Sequence, residues 1–134
     1  MTGKAFADTN VLLYLIGGED ARRVKAEAVL AGRPTISTQV VNEFVANAVK
    51  KGGRSREEAQ ELALALLVCC EHRAIDDGTI RLGLSLFVRY QLSIWDGMIL
   101  AAALQAGADT LYSEDMQHGQ VIEGRLTIVN PFKT

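Results

Sequence analysis

Two cysteines are all that this 134-residue chain carries, and they are neighbours, Cys69 and Cys70. Adjacent cysteines rarely meet disulfide geometry, so a disulfide framework is excluded and a reducing compartment is expected. Long apolar runs are missing too. The longest, Leu62 to Cys70, falls far short of the ~20 residues that a bilayer requires. The opening Met1-Thr2-Gly3-Lys4 leads straight into a strand-like run, without the apolar stretch of a signal peptide. A cytoplasmic protein with no membrane span is therefore expected. There is no excess of positive charge either, the formal net charge being −2. Proteins that hold nucleic acid by general electrostatics are usually basic, so only contact through local basic patches stays open.

Several catalytic signatures are absent as well. The chain has no Gly-x-Gly-x-x-Gly and no Walker Gly-Lys-Ser/Thr, which leaves dinucleotide and P-loop sites without support. It has no Gly-x-Ser-x-Gly, and neither cysteine neighbours a suitable histidine, so a nucleophilic triad lacks an anchor. Asp8-Thr9-Asn10 lacks the second aspartate of aspartyl-phosphate phosphatases.

What is present is an ordinary globular composition, 49% hydrophobic and 22% charged. The length suits one domain over residues 1–134, with no repeat, low-complexity tract or linker. Short strand-like runs alternate with longer helical ones. Strands are expected at Lys4–Ala7, Pro34–Ser37, Arg73–Ile75, Thr110–Tyr112 and Leu126–Val129. Helices are expected from Val11, over Glu19–Leu30 and Thr38–Lys50, and from Ser55, which opens a capping box with Glu58, to about Glu71. Two more follow, Asp77 to about Tyr90 and Ile94–Ala106, the second closed by Gly107. This alternation predicts an α/β fold, a mainly parallel sheet of four to five short strands flanked by helices on both faces.

Ligands of open parallel sheets bind at the carboxyl ends of the strands. Asp8 ends the first strand, Asp115 lies just past Thr110–Tyr112, and Glu43 and Asp96 sit near the starts of helices. Four carboxylates brought to one sheet edge would repel, and some would protonate unless a cation intervened. Mg²⁺ accepts such oxygens and keeps waters for chemistry. Each acid also has a plainer role. Asp8 suits a helix N-cap, and Asp115 suits a polar turn. Glu43 lies off the apolar stripe of Val40, Val41, Phe44, Val45 and Ala48, where a glutamate is ordinarily just solvated. Ser93-Ile-Trp-Asp96 fits a capping box. Asp96 nonetheless carries the strongest physical argument, because Asp96 and Gln105 are the only polar side chains from Ile94 to Ala108. A helix apolar nearly all round is buried, and a buried carboxylate needs a compensating partner.

Together, Asp8-Thr9-Asn10, Asn42-Glu43-Phe44, Trp95-Asp96-Gly97 and Ser113-Glu114-Asp115 resemble the PIN-domain ribonucleases, most of all the VapC-type toxins of bacterial toxin–antitoxin pairs. The resemblance spans nearly the whole chain. It implies a site in which Asp8, Glu43, Asp96 and Asp115 surround one or two divalent ions, Mg²⁺ or Mn²⁺, supported by Asn10 and Ser113. It further implies hydrolysis of RNA to 5′-phosphate products, a small antitoxin partner and a homodimer. An RNA-processing nuclease without an antitoxin, and a non-catalytic protein-binding module of the same fold, are the alternatives.

Lys50, Lys51, Arg54 and Arg56, which follow the helix bearing Glu43, are candidate RNA contacts, ahead of Arg22, Arg23 and Lys25. His118 is a candidate substrate contact and His72 a surface residue. Trp95 is expected in the core, and the Leu62–Val68 stripe in the core or a dimer face.

Overall fold

A computed structural model of the chain describes residues 3–133. Six strands, β1 (Ala5–Ala7), β2 (Thr35–Ser37), β3 (Glu71–Arg73), β4 (Thr110–Tyr112), β5 (Val121–Ile122) and β6 (Leu126–Val129), form one sheet in the order β3-β2-β1-β4-β6-β5. All neighbours pair in parallel except β5 with β6. The helices that flank the sheet are α1 (Thr9–Leu12), α2 (Asp20–Ala31), α3 (Thr38–Lys50), α4 (Arg56–Cys69), α5 (Asp77–Tyr90) and α6 (Ile94–Gln105), with a short 3-10 turn at Leu13–Leu15. The α/β class with a mainly parallel sheet holds, with six strands rather than four or five.

The extra strand and one displaced strand have physical reasons. β3 lies at Glu71–Arg73, two residues before its expected place, because α4 stops at Cys69 and the buried, extended Cys70 turns the chain. Its three side chains are exposed on the sheet edge, so no apolar signal marks it. β5 has two residues and returns to β6 through Glu123-Gly124-Arg125, with Glu123 and Gly124 at positive φ.

The centre is apolar because the inner strands are. Phe6, Ile36, Leu111 and Ile128 are fully buried or nearly so, as are Val40 and Phe44 of α3 and Ile99 to Ala103 of α6. α5 and α6 come close where glycines face each other. A Cβ on Gly97 would stand 2.7 Å from the Gly83 carbonyl oxygen. No helix among the described residues is long and apolar enough to cross a membrane.

The strand order sets the site. The chain leaves β1 for β2 on one side and later returns to β4 on the other side of β1. Such a reversal leaves a crevice at the carboxyl ends of the two strands. Asp8 follows β1 directly, Ser113 follows β4 directly, and Ser37 both ends β2 and caps α3 by accepting the Val40 N–H.

Candidate active site

Asp8 is held from three directions. Its Oδ1 accepts the Thr9 N–H at 2.7 Å, which makes it the N-cap of α1. Its Oδ2 accepts the Ser113 hydroxyl at 2.9 Å and the Asn10 side-chain N–H at 3.2 Å. The cap and the cleft position expected as alternatives thus coexist in one carboxylate. Only 7% of the residue is exposed. Burial raises its pKa to about 6, against the lowering effect of the Ser113 and Thr9 hydrogen bonds and with further raising by the charges of Glu43 and Asp96.

Asn10 ties the two strand ends together. Its Nδ2 also donates to Asp115 Oδ2 at 3.1 Å, while its Oδ1 accepts the Glu114 N–H at 3.0 Å. Asp115, not Glu114, therefore enters the cleft. Glu114 turns away to accept the Tyr14 hydroxyl at 2.7 Å and to pair with Arg22, whose guanidinium also lies over the Tyr14 and Phe132 rings. This anchoring of Glu114 fixes the backbone from which Asp115 projects.

Glu43 is held by Thr9, whose hydroxyl donates to Oε1 at 2.7 Å. Gln39, one turn earlier, reaches Glu43 Oε2 at 3.4 Å and the Trp95 carbonyl at 3.2 Å, so α3 and the start of α6 are joined across the cleft. Ser93 caps α6 by accepting the Asp96 N–H at 3.1 Å. In α4 and α5 the third residue of the cap reaches back to the N-cap backbone, but in α6 this reciprocal bond is not formed. The Asp96 carboxylate is therefore not consumed by the cap backbone. Burial raises its pKa, the Ser93 hydroxyl lowers it, and the charges of Asp115 and Glu43 raise it.

All four acids line one cleft of about 290 Å³, together with Thr9, Asn10, Gln39, Asn47, Lys51 and Trp95. A larger hollow of about 640 Å³ lies elsewhere, lined by Lys4, Arg33 and His72, among others. Its acid, Glu71, is already paired with Arg33, so it offers no converging carboxylates.

The donor set tests the fit of a divalent ion. Every acid in the cleft offers hard oxygen, and the raised pKa values of Asp8 and Asp96 report negative charge that burial leaves uncompensated. No three His, Cys, Asp or Glu side chains among the described residues form a ready-made chelate. Mg²⁺ keeps several waters and binds through one or two carboxylates, so the site fits a hydrated ion of this kind.

Other candidates divide. Ser113 is fully buried and also accepts the Met116 N–H at 3.3 Å. Among the basic residues Lys51 lines the cleft, whereas Lys50 and Arg56 are exposed outside its lining. Arg54 donates to the Ile16 carbonyl at 2.7 Å, and Arg22 and Arg23 are engaged in ion pairs. His118 accepts the Asn130 N–H at 2.9 Å and is not among the cleft-lining residues. Trp95 corrects the expectation of a core residue, being 64% exposed. It occupies the first turn of α6, before the helix becomes buried from Gly97 onward. Leu62–Val68 splits, with Leu66 buried and Leu64 and Val68 exposed. Thr9 and Gln39 were missed as site residues, because their value lies in contacts 34 and 56 residues away.

Fold and site together define a single-domain α/β protein with an acidic cleft at the carboxyl ends of parallel strands. The chain belongs to the PIN-domain family, whose sequence profile matches residues 5–122. Divalent metal ions are what nucleases of this family generally use. No curated protein matches the chain in sequence. Solved structures are similar in fold. A toxin–antitoxin complex from Klebsiella pneumoniae matches with TM-score 0.75 and 23% identity over 98% of this chain and 100% of that one. VapC20 of Mycobacterium tuberculosis, a sarcin–ricin-loop-cleaving toxin, matches with TM-score 0.68 and 21% identity over 84% and 90%. DNA-bound VapBC from Salmonella typhimurium matches with TM-score 0.69 and 18% identity over 95% and 97%.

Proposed function

We propose that this protein is a divalent-metal-dependent endoribonuclease and the toxin of a toxin–antitoxin pair. The observation that carries the nuclease reading is the convergence of Asp8, Glu43, Asp96 and Asp115 on one cleft. Asp8 and Asp96 are both held above the ordinary carboxylate range, by burial first and by the other acids after it. Stability alone would not favour such a cluster, since buried charge without a partner is costly. A bound cation relieves that cost.

In this reading Asp8 and Asp96 are the principal metal ligands. Asp115 and Glu43 complete the shell of a second ion or orient the attacking water. Thr9, Asn10 and Ser113 fix the carboxylates. Lys51, on the same cleft, meets a substrate phosphate. Mg²⁺ or Mn²⁺, when bound, acidifies water and neutralises charge on phosphate oxygens. The water oxygen bonds to phosphorus in line as the P–O3′ bond breaks, which leaves a 5′-phosphate and a free 3′-hydroxyl.

The toxin assignment draws on the similar folds of toxin–antitoxin proteins. A homodimer is proposed as well, with the exposed α5 residues Ile80, Leu84, Phe87 and Val88 at its interface. The direct test incubates purified wild type and Asp96→Asn with RNA, in Mg²⁺ or Mn²⁺ and in EDTA. We expect metal-dependent cleavage that falls at least ~100-fold in the variant, with growth arrest on induction in cells only for wild type. Cleavage without arrest would favour an RNA-processing enzyme. Neither cleavage nor metal-induced thermal stabilisation would leave a protein-binding module.

A further inference from the structure

One large side chain stands where burial cannot explain it. Trp95 is the only tryptophan in the chain. It immediately precedes Asp96 and is one of the residues lining the carboxylate cleft, with about two-thirds of its surface open to solvent. Gly97 and Met98 are the α6 residues that meet Gly83 of α5. Trp95 lies roughly 110° around the helix from their mean direction, to the side of that seam rather than in it. Its exposed neighbours Gln91 and Ser93 are polar. A single aromatic among polar residues is not an extended apolar patch of the kind that marks protein docking.

The rest of the cleft gives this ring a context. Gln39, Glu43 and Asn47 of α3 and Lys51, its C-cap, are spaced four residues apart, and all four line the cleft. The track runs about 18 Å from Gln39 to Lys51 at helical rise. Gln39 holds the Trp95 carbonyl at 3.2 Å, so the indole belongs to the Gln39 end. Lys51 stands at the other end, and Glu43 lies between them. An aromatic face at one end, acids in the middle and a cation at the far end match one nucleic-acid strand laid along the cleft. A base stacks on an aromatic ring whatever its identity, provided that its own face is free. Bases inside a duplex have no free face.

We propose that Trp95 is a base-stacking platform, which selects an unpaired nucleotide beside the phosphate to be cut. The inference rests on the ribonuclease reading and adds a substrate-positioning residue to it.

The test uses the tryptophan itself as the probe. Wild-type protein, with Ca²⁺ in place of Mg²⁺ to support binding without cleavage, is titrated with a labelled single-stranded RNA oligonucleotide and with the same sequence as a blunt duplex. Quenching of Trp95 emission by the single strand is expected, saturating at the affinity given by fluorescence anisotropy, with little response to the duplex. In the cleavage assay Trp95→Ala is expected to raise KM for the single strand roughly 5- to 150-fold, the range of base–aromatic stacking. Trp95→Phe should restore most of it, and kcat should change far less. Binding seen by anisotropy without a change in Trp95 emission would overturn the proposal, as would an unaltered KM in Trp95→Ala. Unaltered RNA kinetics with a changed sedimentation coefficient would assign the ring to a protein interface instead. Wild type that neither cuts nor binds RNA with Mg²⁺ or Mn²⁺ would remove the ribonuclease reading and this inference with it. Cleavage without a contribution from Trp95 would remove this inference alone.

Discussion

At Asp8 a helix cap, a strand-end junction and the deepest acid of the cleft are one side chain, and its ionisation records the conflict. Burial, the chief cause, lifts its pKa to about 6, against about 3.9 in an unfolded chain. Between these values the folded state binds more protons than the unfolded one. The stability of the metal-free protein therefore falls as pH rises from about 4 to about 6, and stays at the lower level above that. Asp8→Asn removes this titration. By scanning calorimetry in EDTA the variant should melt above wild type at pH 8, with the gap closing toward pH 4; a gap of the opposite sign would refute the account. Metal should act in the other direction, since ligands must be deprotonated. Mg²⁺ is expected to raise the wild-type melting temperature at pH 8, far less at pH 5, and little in Asp8→Asn at either. How far such residues are readable in advance depends on local contrast. Asp96 stands out as an acid in an otherwise apolar helix, and Asp8 through its place at a strand end. Glu43 has no such contrast and is identified through the family resemblance alone. The Thr9 hydroxyl that holds Glu43 comes from 34 residues away, a distance over which periodicity carries no information. Trp95 shows the opposite failure, because the rule that a tryptophan in an apolar helix is buried takes no account of its position in the first turn.

Elements position these residues through their ends more than through their middles. Ser37, Ser55, Asp76 and Ser93 cap four of the helices, and the Ser55–Glu58 box forms as its spacing predicts. The helices were legible for this reason, and because their apolar stripes run over twelve residues or more. The strands are two to four residues long. Such strands are visible only where they are apolar, which is why β1, β2, β4 and β6 fall close to their expected places. The polar edge strand β3 and the two-residue β5 do not. The link between α5 and α6 offers a test at this scale. Gln91 closes α5 in the left-handed region, φ 57° and ψ 47°, with an exposed side chain. A Cβ there costs roughly 1–2 kcal/mol, and glycine forfeits roughly 0.5–1 kcal/mol through the freedom of its unfolded chain. The first effect is the larger. Gln91→Gly is thus expected to stabilise by about 0.5–1 kcal/mol, which raises the melting temperature by roughly 2–4 °C. A lower melting temperature would show that the side chain contributes more than its backbone strain costs.

For the molecule as a whole, the net charge of −2 and the acidic cleft have to be reconciled with the proposed polyanionic substrate. Of the basic residues nearest to the cleft in sequence, Lys51 alone lines it, while Arg54 is spent on the Ile16 carbonyl. On the proposed ribonuclease reading, RNA affinity would rest on bound metal and on few phosphate contacts, which accords with cutting rather than with long residence on nucleic acid. The proposed dimer has a clearer candidate surface. Ile80, Leu84, Phe87 and Val88 recur at the spacing of one helix face, and each is at least 40% exposed. A stripe of this kind left uncovered marks an interaction site. With a second copy it would form a two-fold interface in which each residue lies near its own counterpart. The chain mass is 14.5 kDa, so sedimentation equilibrium should return twice that value for wild type at micromolar concentration. Phe87→Glu is expected to return the single-chain mass. It would set carboxylates from both copies into one dry interface, where like charges cost on the order of several kcal/mol, and weaken association ~100-fold or more. Because the Phe87 Cβ also borders Gly97 of α6, Val88→Glu, at a side chain 67% exposed, is the second variant that tests the same face without touching that contact. A wild-type protein of single-chain mass would refute the dimer, and a Phe87→Glu protein that stays at twice that mass would move its interface off α5.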